Sequence, residues 1–210
     1  MIKVTLKGDV IREYEPGTTA GEVAKSLGAG LYKAACCAKV DGEVADLRTP
    51  LTGDCALQIC TFDDEEGKKA FWHSTSHILA QAVKRLYPAA KFAIGPAIDG
   101  GFYYDFDVET PFTAEDLDKI EAEMKKIVKE DLAIERFALP PAEATQLMKD
   151  EPYKVELIAE HAGKGEDISF YRQGEFTDLC AGPHLMSTGL VRALKLTQAT
   201  GAYWRGDQAN

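Results

Sequence analysis

A change of period near residue 63 constrains this chain more than any other feature. Up to that point the residues fall into short extended runs separated by glycine turns, and beyond it a long helical pattern takes over. The opening stretch Met1-Ile2-Lys3-Val4-Thr5-Leu6-Lys7 alternates apolar and polar residues, the period of a strand with one buried face. Lys7-Gly8-Asp9 then predicts a hairpin into a second strand over 10 to 14. Thr19 and Glu22 form a capping box, so a short helix starts there and Gly28 stops it. Three more extended pieces follow. They cover Ala34 to Val40, Glu43-Val44 after the Asp41-Gly42 turn, and Cys55 to Phe62 after Gly53-Asp54. Two strands, a helix and two or three strands within some sixty residues predict a β-grasp, ubiquitin-like unit over 1–62.

Four acids between Asp63 and Glu66 suit a helix start, because the macrodipole favours negative charge at that end. The helix is expected to run to Tyr87 and stop at Pro88, with Ile78, Leu79, Ala82, Val83 and Leu86 as its buried stripe. Residues 92 to 106 read as two strands joined at Asp99-Gly100-Gly101, where the glycine pair also suits close approach to a ligand. Thr113 and Asp116 open a second helix whose stripe is Leu117, Ile120, Met124, Ile127 and Val128. Pro140-Pro141 begins a shorter helix to about Lys149. The segment Tyr153 to His161, a strand at Ile168 to Tyr171, a loop from Asp178 to His184 and a strand around Leu194 to Thr197 complete the chain. The fold class is therefore α+β, with a larger second domain over 63–210.

Within the long helix, His73-Ser74-Thr75-Ser76-His77 puts two imidazoles one turn apart on one face, about 5–6 Å apart at Cβ. Of the four histidines in the chain, a third, His184, closes Cys180-Ala181-Gly182-Pro183-His184. A histidine on a half-apolar helix face is usually structural and a lone cysteine is usually a small core residue. Two such pairs in a chain this poor in histidine point instead to a zinc site, a general base or a nucleophile. The metalloprotease pattern is excluded, because it needs Glu directly after the first His and Ser74 stands there.

Composition narrows the partners. Residues 1–62 carry 7 Lys and Arg against 8 Asp and Glu, whereas 63–210 carry 17 against 26, leaving most of the net charge of -10 on the second part. Such a surface repels phosphate backbones, so an RNA partner would need help from another domain. Five cysteines, an odd number, in a chain whose start does not read as an export signal predict a reduced cytosolic protein without disulfides. No run approaches membrane-spanning length.

Further motifs are Ala93-Ile94-Gly95-Pro96, Gly101-Phe102-Tyr103-Tyr104-Asp105, Asp178-Leu179-Cys180-Ala181-Gly182-Pro183-His184 and Gly201-Ala202-Tyr203-Trp204-Arg205-Gly206-Asp207. With the His73–His77 motif, they make the chain resemble the N-terminal half of a bacterial threonyl-tRNA synthetase. The resemblance implies a TGS domain over 1–62 and, over 63–210, an editing domain that hydrolyses serine mischarged onto threonine tRNA. The implied pocket holds His73, His77, Lys154, Asp178, Cys180 and His184, with Tyr104 on its wall and Gly95 and Pro96 beside the substrate. Lys154 is singled out by the family pattern alone. Neutral His73 or Asp178 is expected to hold the hydrolytic water, while the others shape the pocket or stabilise charge.

The expected state is free of cofactor. The alternative is zinc on His73, His77, Cys180 and His184, in a non-enzymatic module that positions tRNA. One departure is Ala181, where the family often has Arg, so the resemblance does not extend to a cationic contact to the tRNA end there. The partner implied is the 3' end of threonine tRNA carrying serine. In the family, the aminoacylation and anticodon-binding domains would begin after Asp207, so both an excised fragment and a stand-alone editing factor fit. Neither reading expects aminoacylation from these residues alone.

Overall fold

Strands β1 (Ile2–Leu6) and β2 (Val10–Tyr14) pair antiparallel through Ile2↔Tyr14 to Leu6↔Val10, with positive-φ Gly8 and Asp9 making the turn between them. This computed structural model describes residues 1–165, 168–201 and 204. Helix α1 (Ala20–Leu27) begins at the capping box, where the Thr19 hydroxyl accepts from the Glu22 amide at 3.2 Å and the Thr19 amide donates to the Glu22 carboxylate at 2.7 Å. A one-and-a-half-turn helix α2 (Ala29–Ala34) follows directly, where an extended approach to the next strand was expected from Ala34 onward. Strands β3 (Ala35–Val40), β4 (Glu43–Ala45) and β5 (Cys55–Thr61) complete a five-stranded sheet of order β2-β1-β5-β3-β4, in which only the β1–β5 pair is parallel. Val4, Val23, Ala24, Ala38, Leu47 and Leu57 fill the space between sheet and α1, as the alternation in β1 requires. This is the β-grasp topology.

Helix α3 (Glu65–Leu86) starts four residues after β5 ends. Its first turn lies so close to that strand end that a Cβ on Gly67 would sit 1.8 Å from the Thr61 carbonyl oxygen. Every residue from Ser74 to Val83 is buried, so the helix is the axis of the second unit rather than a one-sided surface helix. Leu86, expected in the buried stripe, is 40% exposed.

Helix α4 (Ala114–Glu130) packs against α3 through Ile120, Met124 and Ile127, and its Thr113–Asp116 capping box is formed. Between the two helices, β6 (Lys91–Phe92) pairs with β9 (Phe106–Asp107), and β7 (Ala97–Ile98) pairs with β8 (Gly101–Phe102). The expected pair of strands is thus two short nested ladders closed by positive-φ Gly100.

Strand β10 (Ile134–Ala138), which sequence reasoning missed, leads into helices α5 (Pro141–Leu147) and α6 (Pro152–Gly163). Strands β11 (Ser169–Gln173) and β12 (Phe176–Leu179) join β10 in an antiparallel sheet. Asp178 therefore lies on a strand, opposite Tyr171, and not in the expected loop. Residues 194–197 form no ladder. Leu194 and Leu196 pack onto the core, and the Leu196 amide donates to the Glu121 carboxylate at 3.1 Å. Of the 201–207 motif only Gly201 and Trp204 fall within the described residues. The five cysteines are all unpaired thiols. Among the described residues no helix is long and apolar enough to cross a membrane.

Candidate active site

Helix α3 brings His73 and His77 to one face, where their ring centroids are 5.2 Å apart. The loop after β12 folds His184 back between them, 4.2 Å from each ring, and carries Cys180 with it. That loop is pinned at its start, where the Cys180 amide donates to the Ser169 carbonyl at 3.1 Å and the Ser169 hydroxyl to the Cys180 carbonyl at 2.7 Å. The Cys180 sulfur lies 3.3 Å from His73 Nε2 and 3.2 Å from His184 Nε2, and accepts the Gly182 amide at 3.2 Å.

The hydrogen-bond network assigns two tautomers. The Pro183 backbone beside His73 favours the protonated ring nitrogen, and with Nε2 turned to Cys180 that nitrogen is Nδ1. The Ser74 hydroxyl donates to the Ala70 carbonyl at 2.9 Å and accepts the Leu185 amide at 2.9 Å, so its 3.0 Å contact with His184 Nδ1 is a bond that His184 donates. Both Nε2 lone pairs therefore face one thiol, which has a single proton to give. One lone pair remains for a water or another ligand.

Beside this cluster lies a buried ion pair. Lys154, in the first turn of α6, is 3% exposed and places its ammonium 2.7 Å from Asp178 Oδ1. Asp178 Oδ2 accepts the Tyr104 hydroxyl at 2.6 Å and stands 3.6 Å from His77 Nε2. Gly95 explains how Tyr104 reaches so far in, since a Cβ there would sit 2.1 Å from the tyrosine ring. The carbonyl of Gly95 is tied to Ser76 Oγ at 2.6 Å, so Gly95 supports the wall that Tyr104 forms. Pro96 lies half-buried in the adjacent turn, where its carbonyl accepts the Tyr103 amide at 3.4 Å.

Burial sets the protonation states. It lowers His73 to about 4 and His77 to about 3, and takes His184 well below the ordinary imidazole range, so all three rings are neutral at neutral pH. Burial raises the Cys180 thiol to about 12, so it is a thiol and not a thiolate. At Asp178 burial pushes upward, but the Lys154 ammonium, neighbouring His77 and the hydrogen bonds from Lys154 and Tyr104 outweigh it, and the carboxyl stays ionised. Because His77 is neutral, the charge partner of Asp178 is Lys154.

The six residues expected to be catalytic and Tyr104 thus meet in one buried side-chain cluster. Missed from sequence were Ser74 and Pro183, which fix the ring tautomers, and Asp46 and Arg48, which reach the Cys180–His184 loop from the β-grasp unit. No local pattern marks the latter two, because their partners outside the turn lie more than 80 residues away in the chain.

The sequence has relatives among known proteins. Residues 2–61 match the TGS domain model, and residues 168–210 match the model of the threonyl and alanyl tRNA synthetase second additional domain. The class so defined is a β-grasp TGS domain followed by a synthetase-type editing domain. Within that class, threonine–tRNA ligases from Acetivibrio thermocellus, Clostridium botulinum strain Alaska E43 and Caldanaerobacter subterraneus subsp. tengcongensis are 62%, 59% and 58% identical to this chain. The matches cover 100%, 100% and 99% of it, and 33%, 32% and 32% of those proteins. The chain belongs with the TGS and editing portion of the threonyl-tRNA synthetase family, and spans about a third of the length of these curated relatives.

Proposed function

We propose that this chain hydrolyses the ester of seryl-tRNA made in error on threonine tRNA, as the proofreading part of a threonine–tRNA ligase acting in the cytoplasm. The observation that carries the reading is the meeting of three imidazoles, a thiol and the buried Asp178–Lys154 pair in one side-chain cluster. The working division is a TGS unit over 1–62 and an editing unit over 63–210, with the rest of a ligase supplying most of the tRNA affinity that an acidic surface lacks.

Threonine and serine differ by one methyl, worth only about 1–3 kcal/mol to a binding pocket, so a second hydrolytic sieve is the chemical remedy. Ester hydrolysis needs a base for the attacking water and donors for the oxyanion. His73 is the better base of the two candidates. With the Cys180 proton given to His184, the His73 Nε2 lone pair is left for the attacking water, whereas the two Asp178 oxygens are already engaged by Lys154 and Tyr104. Asp178 instead orients Tyr104 and holds the Lys154 ammonium, which supplies positive character for the developing oxyanion. Gly95 and Pro96 border the serine beside Tyr104.

A second reading rests on the four ligand atoms of His73, His77, Cys180 and His184, which lie within 4.8 Å of one another. Those residues fit a zinc ion, which would supply Lewis acidity or, with all four bound, a closed structural centre. Deacylation of seryl-tRNA by the purified full-length protein, before and after exhaustive chelation, tests both readings. Hydrolysis that survives chelation supports the metal-free site. Loss of hydrolysis with loss of one tightly held zinc per chain supports the other.

A further inference from the structure

The Asp46-Leu47-Arg48 turn belongs to the β-grasp unit by its middle residue and to the pocket by the two residues on either side. Leu47 is fully buried in the β-grasp core, and its carbonyl accepts the Gly21 amide at 2.7 Å. Arg48 extends the other way. Its guanidinium donates to the His184 carbonyl at 3.2 Å, to the Leu185 carbonyl at 2.8 Å and, through Nε, to the Ile134 carbonyl at 3.0 Å. Asp46 Oδ1 holds that guanidinium at 2.8 Å. Asp46 Oδ2 accepts the Tyr171 hydroxyl at 2.8 Å and the His184 amide at 3.2 Å.

His184 is thus gripped at both backbone polar atoms by side chains from another unit. Tyr171, whose hydroxyl is oriented by Asp46, packs 4.4 Å from the His184 ring. A Cβ on Gly182 would lie 2.0 Å from that hydroxyl, so the tyrosine also limits where the Cys180–His184 loop can run.

We propose that Asp46 and Arg48 are positioning residues for the hydrolytic site, so that the β-grasp unit sets the geometry of the loop bearing Cys180 and His184. Neither touches a reacting atom. They act by fixing the loop within the fraction of an ångström that separates a productive constellation from an unproductive one, where a misplacement of about 1 Å can cost about 10²-fold in rate. A guanidinium donating to three carbonyls in a fixed fork cannot be replaced by a lysine ammonium, which is a point donor. The inference rests on the deacylase reading for its kinetic consequence but not for its structural one.

The test uses Asp46→Ala, Asp46→Asn, Arg48→Lys and, as a stability control, Val23→Ala in the full-length protein. Val23 is fully buried in the β-grasp core and makes none of these contacts. Asp46→Ala and Arg48→Lys are expected to lower kcat for seryl-tRNA hydrolysis by about 10–100-fold with little change in KM. Asp46→Asn, which keeps one acceptor oxygen, should recover part of the loss. In nitrogen-15 spectra of labelled histidine, the His184 imidazole signals should move in the Asp46 and Arg48 variants and stay in place in Val23→Ala. Wild-type kcat and unmoved His184 signals in folded Asp46 and Arg48 variants would overturn the proposal. So would an equal kcat loss in Val23→Ala at matched melting temperature. If the wild-type protein hydrolyses no ester, the deacylase reading fails, and the imidazole signals alone still decide the positioning claim.

Discussion

His73 and Lys154 carry the most testable chemistry at the scale of single residues. Replacing His73 with Ala removes the ring proposed as the base, and the hydrolytic rate should fall by roughly 10²–10⁴. A circular-dichroism melt should still show a folded protein, and a rate within threefold or so of wild type would assign the base elsewhere. Lys154→Met leaves the Asp178 carboxylate buried without its counter-charge, an expected loss of about 3–5 kcal/mol in unfolding free energy. Adding Asp178→Leu should restore most of that stability without restoring activity. Denaturant titration of the two variants checks the pair.

The imidazoles also set an acid limit on stability. Above 6.5 the rings are neutral in the folded and the unfolded chain, so they add no pH dependence. Below it the unfolded chain takes up protons that folded His73 refuses until about 4 and His77 until about 3. Stability therefore falls as pH drops through that window. A wild-type stability that stays flat from neutrality down to pH 4 would contradict the neutral buried rings. The histidine pairs were legible in the sequence from their spacing, but the burial of Lys154 was not. Its place depends on how α6 docks against β12, which no local pattern encodes.

At the scale of elements, the legible parts are those governed by local chemistry. Both capping boxes, the Lys7-Gly8-Asp9 and Asp41-Gly42 turns and the start of α3 follow from neighbouring residues. Strand β10 was hidden because its outward side chains are polar and its partner β11 comes 35 residues later. The strand expected over 194–197 failed for the opposite reason. Its apolar residues face the core, but no neighbouring strand is there to pair with them. The junction of β5 and α3 depends on one residue without a side chain. Gly67→Ala forces a methyl into the Thr61 carbonyl and should destabilise the protein by about 1–3 kcal/mol, as overpacking does. An unchanged melting temperature would show that α3 can shift without loss.

For the molecule as a whole, the two units share one function if the Asp46–Arg48 grip matters, and the similarity to threonine–tRNA ligases over the entire chain accords with that. The β-grasp order was readable from the alternation of short runs. The interface that joins it to the pocket was not, because the charged residues that make it look like any solvated turn. The most direct measurement is the hydrolysis rate of seryl-tRNA and threonyl-tRNA, both on threonine tRNA, by the full-length protein under identical conditions. A second sieve built on one methyl should cleave the serine ester faster by about 10–200-fold. Equal rates on the two esters, or no hydrolysis of either, would contradict the account.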